Sequence, residues 1–328
     1  MSLRLCFLLL MLSPGWIYAN PASTEVPVWI DADPACDKNY GNDVDDCWAL
    51  AYAIFSKKLR ISGISTVFGN IAGKTTYSIG LHFLNEVSKY NHADQYNFLQ
   101  GASVPITQSM ASNEAVEALH NNLQKEKLTI ISLGPLSNIA LLLHHYPEDI
   151  NLIHRVIAVA GQRDLKQMRF KPKSDSLLHM HDLNFRKDVD AFQKVMDSGV
   201  PLTLIPFELA SQLVIEQSDL RQVSLHSELA TWLTDQSKPW LKFWKQSFDV
   251  NGFYPFDLLA IVYVTNPKLF VCETVSLKII KRRSLFMNSR SSLLATADKK
   301  KQNRDTYCYR LNKETKSLVM ANLTKIGD

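Results

Sequence analysis

Two periodicities alternate along the chain. Short apolar runs at 26–31, 61–68, 128–133, 156–160 and 201–206 are bounded by Gly, Pro, Asn or Asp. Runs of about 4–8 such residues suit strands buried on both faces. Between them, apolar residues recur at helical spacing. One such stretch starts at Asp46 and carries Trp48, Leu50, Ala51, Ala53, Ile54 and Phe55. Others end at Val87, run through 137–143 and cover 188–196. Strand and helix in strict alternation predict an α/β fold: a doubly wound, mostly parallel central sheet with flanking helices. Ligands of such sheets bind beyond the carboxyl ends of the strands. The loop after Asp31, the Gly69-Asn70 turn, the Leu133-Gly134 turn and the loop after Ala160 are therefore expected to converge.

Two regions depart from the alternation. Residues 208–250 read as helical material outside the sheet, rich in Trp232, Trp240, Phe243 and Trp244. They suit core packing, a cap over a pocket or contact with a partner. Near the C-terminus, Lys281-Arg282-Arg283 and Lys299-Lys300-Lys301 read as a solvated hairpin tip. No aromatic interleaving accompanies them, so no nucleic-acid partner is expected.

Composition changes little: 46% hydrophobic, 21% charged and a net charge of +4 describe an ordinary globular core. The N-terminus changes more. Arg4, the apolar run 5–12, the Pro14-Gly15 break and Ala19 form a secretory signal pattern over residues 1–19. That run is too short for an integral membrane span. Export, periplasmic or secreted, is expected, with residues 20–328 as a single catalytic domain. Cys36, Cys47, Cys272 and Cys308 then remain. In an exported chain they permit bridges Cys36–Cys47 and Cys272–Cys308; four free thiols are the alternative.

The strongest chemical signal is acidic. Asp31, Asp33, Asp37, Asp43, Asp45 and Asp46 place six carboxylates within sixteen residues, with Lys38 as the only base. Crowded carboxylates require neutralisation in a folded site, and oxygen donors select hard cations such as calcium or magnesium. The cluster follows a buried strand and enters an apolar helix, unlike a solvated loop. It lacks the Gly and terminal Glu of an EF-hand, and the chain has no Gly-x-Ser-x-Gly elbow.

Asp31-Ala32-Asp33 and Gly41-Asn42-Asp43-Val44-Asp45-Asp46 with Ala49-Leu50 resemble the acidic hallmark of the inosine–uridine-preferring nucleoside hydrolase family, split here by an inserted segment at 34–40. Ser65-Thr66-Val67-Phe68-Gly69-Asn70, Gly101-Ala102 with Pro105, Leu133-Gly134-Pro135-Leu136-Ser137-Asn138, Asp182-Leu183-Asn184 and Phe256-Asp257 resemble further family segments, in the family's order. The resemblance implies the nucleoside hydrolase fold. It also implies calcium-dependent hydrolysis of the N-glycosidic bond of ribonucleosides to ribose and free base, in purine or pyrimidine salvage. Carried over by position, Asp33, Asp46, Asp257 and the main-chain carbonyl of Leu133 would hold Ca2+. Asp33 would also be the general base toward the attacking water. Asp45, Asn70, Asp182 and Asn184 would hold ribose hydroxyls, Phe256 would stack the base, and Asp31 would orient the loop. Asp37 and Asp43 receive no role.

Phe256 stands where the family often has a His that protonates the leaving base, so the leaving-group acid is unassigned. His179 and His181 are read as surface or structural residues. The resemblance implies a homo-dimer or homo-tetramer. Two alternatives remain open: hydrolysis of another N-ribosyl compound, such as nicotinamide riboside, and a catalytically silent, calcium-stabilised ribose-binding protein.

Overall fold

The computed structural model describes residues 25–38, 43–91, 96–164, 169–170, 178–179, 181–282, 290–298 and 305–328. The signal-peptide segment, Gly41 and Asn42 of the acidic stretch, Arg283 and the 299–301 basic run lie outside those residues. No helix among the described residues is long and apolar enough to cross a membrane.

The described strands are β1 (Val26–Ala32), β2 (Leu59–Thr66), β3 (Phe98–Gln100), β4 (Leu128–Ser132), β5 (Ile153–Ala158), β6 (Arg169–Phe170), β7 (Leu178–His179), β8 (Leu202–Leu204), β9 (Ile215–Glu216), β10 (Gly252–Phe253), β11 (Phe270–Arg282), β12 (Arg290–Ala297) and β13 (Thr306–Leu311). Nine of them form one sheet in the order β12-β11-β13-β8-β5-β4-β1-β2-β3. Pairing is parallel from β3 through β13 and antiparallel on both sides of β11. The sheet is thus mostly parallel, as the alternation predicts.

Side-chain period two explains how it is held. Val28, Ile30 and Ala32 of β1 face one core with the helices Asp45–Ile54, Gly73–Val87 and Phe256–Thr265. Trp29 faces the other, with the helices Glu114–Leu123, Ser137–His145 and Val189–Ser198. Fully buried, Trp29 satisfies its indole by donating to Ser65 Oγ at 2.8 Å. With both faces covered, the middle of the sheet is apolar on both sides, as at Val28–Ile30, Ile130–Ile131 and Val156–Ala158.

The chain runs outward from β1 through β2 to β3, then returns to β4 on the other side of β1. This reversal leaves a crevice beyond the carboxyl ends of β1 and β4, where ligands collect in open α/β sheets. The acidic segment emerges into that crevice.

Residues 208–250 are helical outside the sheet as expected, in Phe207–Ala210, Gln217–Ser224 and Glu228–Phe248. The antiparallel β9–β10 pair, which brackets the last two of these helices, escaped the periodicity, because two-residue strands carry no pattern. At the far edge, β13 inserts between β8 and β11. Cys272 and Cys308 are cross-strand partners there and form a disulfide. The second bridge joins Cys36 to Cys47. The expectation of bridges is met at both pairs.

Candidate active site

Asp33 lies just past the end of β1, where the strand's last amides have no further sheet partner. Its own N–H donates to Asp46 Oδ1 at 3.0 Å, which ties the strand end to the first turn of helix Asp45–Ile54. Asp45 and Asp46 occupy that turn, where free amides and the helix dipole favour negative charge. The Asp43 carboxylate, without a role from sequence, accepts the Asp45 N–H at 3.1 Å. Asp257 arrives from the first turn of Phe256–Thr265, and its N–H donates to Asp45 Oδ2 at 3.3 Å.

Asp45, Asp46 and Asp257 each present an oxygen within 4.8 Å of the others, and all three are buried. Asp45 Oδ1 is buried with no hydrogen-bond partner. Buried carboxylates without paired cations are costly. An all-oxygen donor set with an orphaned oxygen fits a hard divalent cation. Asp46 and Asp257 are brought together as the sequence implies. Asp45, expected among the sugar ligands, joins them because helix geometry puts it one residue from Asp46 in the same turn.

Asp33 is held differently. Its Oδ2 accepts the Asn70 N–H at 2.7 Å. A Cβ at Gly69 would overlap that oxygen, and one at Gly134 would crowd Oδ1. Glycine at both turns is therefore a condition for the carboxylate to sit between them. The Asn70 side-chain amide donates to Asp33 O at 3.3 Å and Asp46 Oδ2 at 3.2 Å. Asn70, expected to hold ribose, thus also orients the two carboxylates. β2 ends beside β1 in parallel register, which brings it there.

Asp31, expected to orient the loop, is buried and held by two donors. Its Oδ1 accepts from Ser65 Oγ at 2.6 Å and Asn138 Nδ2 at 2.8 Å. Asn138 also donates to Thr66 O and accepts from Ala102 N. The Gly-Pro-Leu-Ser-Asn and Gly-Ala segments of the sequence therefore stitch the ends of β1, β2 and β4 together.

The sugar-binding candidates Asp182 and Asn184 face the crevice from the loop before and the start of helix Leu183–Lys187. Asp182 caps this helix, accepting from Phe185 N at 3.1 Å and Gly161 N at 2.6 Å. Asn184 Nδ2 donates to Leu133 O at 2.6 Å and Val159 O at 3.0 Å. Both amide hydrogens go to main chain, so only Asn184 Oδ1 is left to meet a hydroxyl. The Leu133 carbonyl, expected at the cation, here accepts from Asn184; its second lone pair leaves room for another contact.

These groups line a cleft of about 170 Å³. Ile205, Phe207, Trp240, Trp244 and Phe256 line it as well. Phe256 packs on Phe207 with centroids 5.6 Å apart, and Trp240 meets Trp244 edge to face at 5.8 Å. Core packing and the cap over a pocket are both met in the tryptophan-rich segment: Trp244 is fully buried in one core with Trp232 and Trp240 packed on it, and Trp240 and Trp244 line the cleft. Phe207 was missed: a lone aromatic after Pro206 gives no local signal. His181, read as a surface or structural residue, is half-buried and lines the cleft beside Asp182. The inserted loop docks on the same cap, since Lys38 N donates to Gln236 Oε1 at 2.9 Å, in the helix that carries Trp240.

Burial dominates the acid–base behaviour. It raises Asp31 to about 7 against the lowering hydrogen bonds of Ser65 and Asn138. It raises Asp182 to about 6. Burial, then the neighbouring carboxylates, raise Asp33, Asp43, Asp46 and Asp257 as well. In an unfolded chain these groups ionise near pH 3.9. Without a cation the folded state therefore binds more protons than the unfolded state from about pH 4 upward, and stability falls as pH rises through the folded values of about 6 and 7. The chelated protein is expected to lose on the order of 2–4 °C in Tm per pH unit between about pH 6 and 8 for each net proton so bound. Cation binding requires ionised carboxylates, so the Tm gained on adding calcium grows over the same interval. Differential scanning fluorimetry with and without chelator checks both slopes; a chelated Tm that rises with pH would contradict the burial argument.

Fold and site together describe an enzyme acting on a small polar ligand beside a carboxylate cluster. The chain belongs to the inosine-uridine preferring nucleoside hydrolase family, whose family model matches residues 28–316. The members of this family hydrolyse the N-glycosidic bond of ribonucleosides, and the protein is an enzyme of that class. It is similar to the non-specific ribonucleoside hydrolase RihC of Klebsiella pneumoniae subsp. pneumoniae, at 23% identity over 274 residues, covering 76% of this chain and 82% of that one. RihC of Salmonella schwarzengrund is 25% identical over 271 residues, covering 75% and 80%. The fold is shared with a plant nucleoside hydrolase (TM-score 0.74, 16% identity, 91% of this chain and 99% of that chain). It is also shared with the purine-preferring ribonucleoside hydrolase from Gardnerella vaginalis (TM-score 0.72, 16% identity, 92% and 98%).

Proposed function

We infer that the protein is an exported, calcium-dependent ribonucleoside hydrolase. The observation that carries the reading is the meeting of three buried carboxylates, Asp45, Asp46 and Asp257, at a cleft also lined by Asp33 and by aromatic side chains. Asp45, Asp46 and Asp257 would hold the cation, with Asp33 and Leu133 O as further oxygen donors from the same crevice. When bound, calcium neutralises the crowded carboxylates and acidifies a water at the site.

The chain's own groups supply the rest. Asp33, fixed by the Asn70 amide, takes the proton from the attacking water as general base. Asp182 and Asn184 Oδ1 accept from ribose hydroxyls; with Asn70 beside them they fix the anomeric carbon for attack. The remaining carboxylate charge stabilises the oxocarbenium-like transition state. Phe207, Trp240, Trp244 and Phe256 offer faces and edges to a flat base. Aromatic faces discriminate weakly between bases, which supports a broad substrate range like that stated in the name of the RihC relatives.

Reducing-sugar release from inosine, adenosine, guanosine, uridine and cytidine tests the reading. Release is expected from at least one nucleoside, lost on chelation and restored by calcium. Release from nicotinamide riboside alone would identify the other N-ribosyl substrate; ribose binding without release from any compound would identify a silent binder. Residues 1–19 act as the signal peptide in this reading, and an oxidising compartment agrees with two disulfides. Residues 20–328 form one catalytic unit, assembled as a homo-dimer or homo-tetramer.

A further inference from the structure

We propose that His181 is the general acid that protonates the departing base, an inference that rests on the ribonucleoside hydrolase reading. Cleavage of the C1–N bond sends its electron pair to the base nitrogen. A purine or pyrimidine anion is a poor leaving group, so the base departs readily only if a proton arrives as the bond breaks. The water oxygen forms the new bond to C1 and gives its proton to Asp33. The proton on the base comes from a second group. Transfer from an imidazolium leaves neutral imidazole, ribose and neutral base, and exchange with solvent resets both residues.

The cleft restricts which side chain that can be. Among its described lining residues there is no Lys, Arg, Cys or Tyr, and His181 is the one imidazole. The other titratable groups that line it are Asp33, Asp43, Asp45, Asp182 and Asp257. Asp33 is committed to the water and Asp45 and Asp257 to the cation. Asp43 Oδ1 accepts the Asp45 N–H, and Asp182 accepts main-chain N–H groups at both oxygens. These contacts hold Asp43 against the carboxylate cluster and leave Asp182 an acceptor at both oxygens. The remaining described lining residues carry no ionisable group. An imidazole ordinarily titrates near pH 6.5, close to the operating pH of a general acid at neutrality.

Position supports the role. His181 precedes Asp182, whose two main-chain contacts anchor the start of helix Leu183–Lys187, so the His181 backbone is one bond from a fixed residue. It is half-buried, open to the cleft and able to exchange protons with solvent.

The test compares wild type and His181→Gln, both with calcium, on inosine, uridine and 4-nitrophenyl ribofuranoside. Nitrophenolate leaves without a proton. His181→Gln is expected to lower kcat on the nucleosides by about 100-fold or more and on the nitrophenyl riboside by less than about threefold. Equal losses on both substrate types, or unchanged nucleoside turnover, overturn the proposal; retained nitrophenyl riboside turnover also shows that the variant is folded. Wild type that cleaves only the nitrophenyl compound overturns it too. Wild type that cleaves none of the three overturns the hydrolase reading itself, a separate outcome.

Discussion

Asp33→Asn is expected to lower kcat by roughly 1,000-fold or more while leaving the fold intact. Asn has the same shape and keeps an oxygen to accept the Asn70 N–H now received by Asp33 Oδ2. The Asp33 N–H to Asp46 Oδ1 is main chain and survives any side-chain change. What the substitution removes is the charge and the basicity. The same removal has a second consequence. Asp33 is buried among carboxylates that raise its pKa, so ionising it in the chelated protein is unfavourable. A neutral Asn avoids that cost, and the chelated variant is expected to melt at or above wild type at pH 8. Steady-state kinetics and a chelated thermal melt check the pair of outcomes. Near-normal turnover would remove Asp33 from the role of base. A large drop in chelated Tm would show that its charge supports the fold.

Asp257→Ala is expected to weaken calcium binding by at least about 100-fold, with activity falling in parallel at limiting calcium. Asp257 comes from the helix Phe256–Thr265, far along the chain from Asp45 and Asp46. Its main-chain N–H holds Asp45 Oδ2, and Ala preserves that contact. The lost group is one of three carboxylates whose oxygens converge within 4.8 Å. Fluorimetry with increasing calcium reads the affinity through the rise in Tm, which follows the logarithm of calcium over its dissociation constant. An unchanged calcium midpoint would place the cation elsewhere. A midpoint shift at unchanged activity in saturating calcium would separate metal holding from catalysis.

Much of this site was legible in the sequence because its parts are contiguous. Asp31, Asp33, Asp45 and Asp46 surround a strand-to-helix passage, and two apolar periodicities mark that passage without any tertiary information. The turns at Gly69-Asn70 and Gly134 were legible for the same reason. The roles within the site were less so. Asn70 reads as a sugar ligand, yet both its main-chain and side-chain amides hold Asp33 and Asp46. Asn184 reads the same way, yet its amide hydrogens go to Leu133 and Val159. A residue type fixes which hydrogen bonds a side chain can make; only the neighbours in space fix which of them it does make.

The sequence by itself determined the alternation of strands and helices, the acidic passage at the first strand's end and, through the ordered motifs, the family. These rest on local periodicity and local charge density, which any stretch of chain carries with it. The tertiary structure decided what was added from a distance. It added Asp45 to Asp46 and Asp257, and it brought Phe207, Trp240 and Trp244 into the lining of the cleft. It turned His181 from a residue of no assigned chemistry into part of the wall, and it inserted β13 between β8 and β11. Each of these depends on contacts between residues far apart in sequence. Such contacts are chosen by the burial of whole faces rather than by any pattern along the chain.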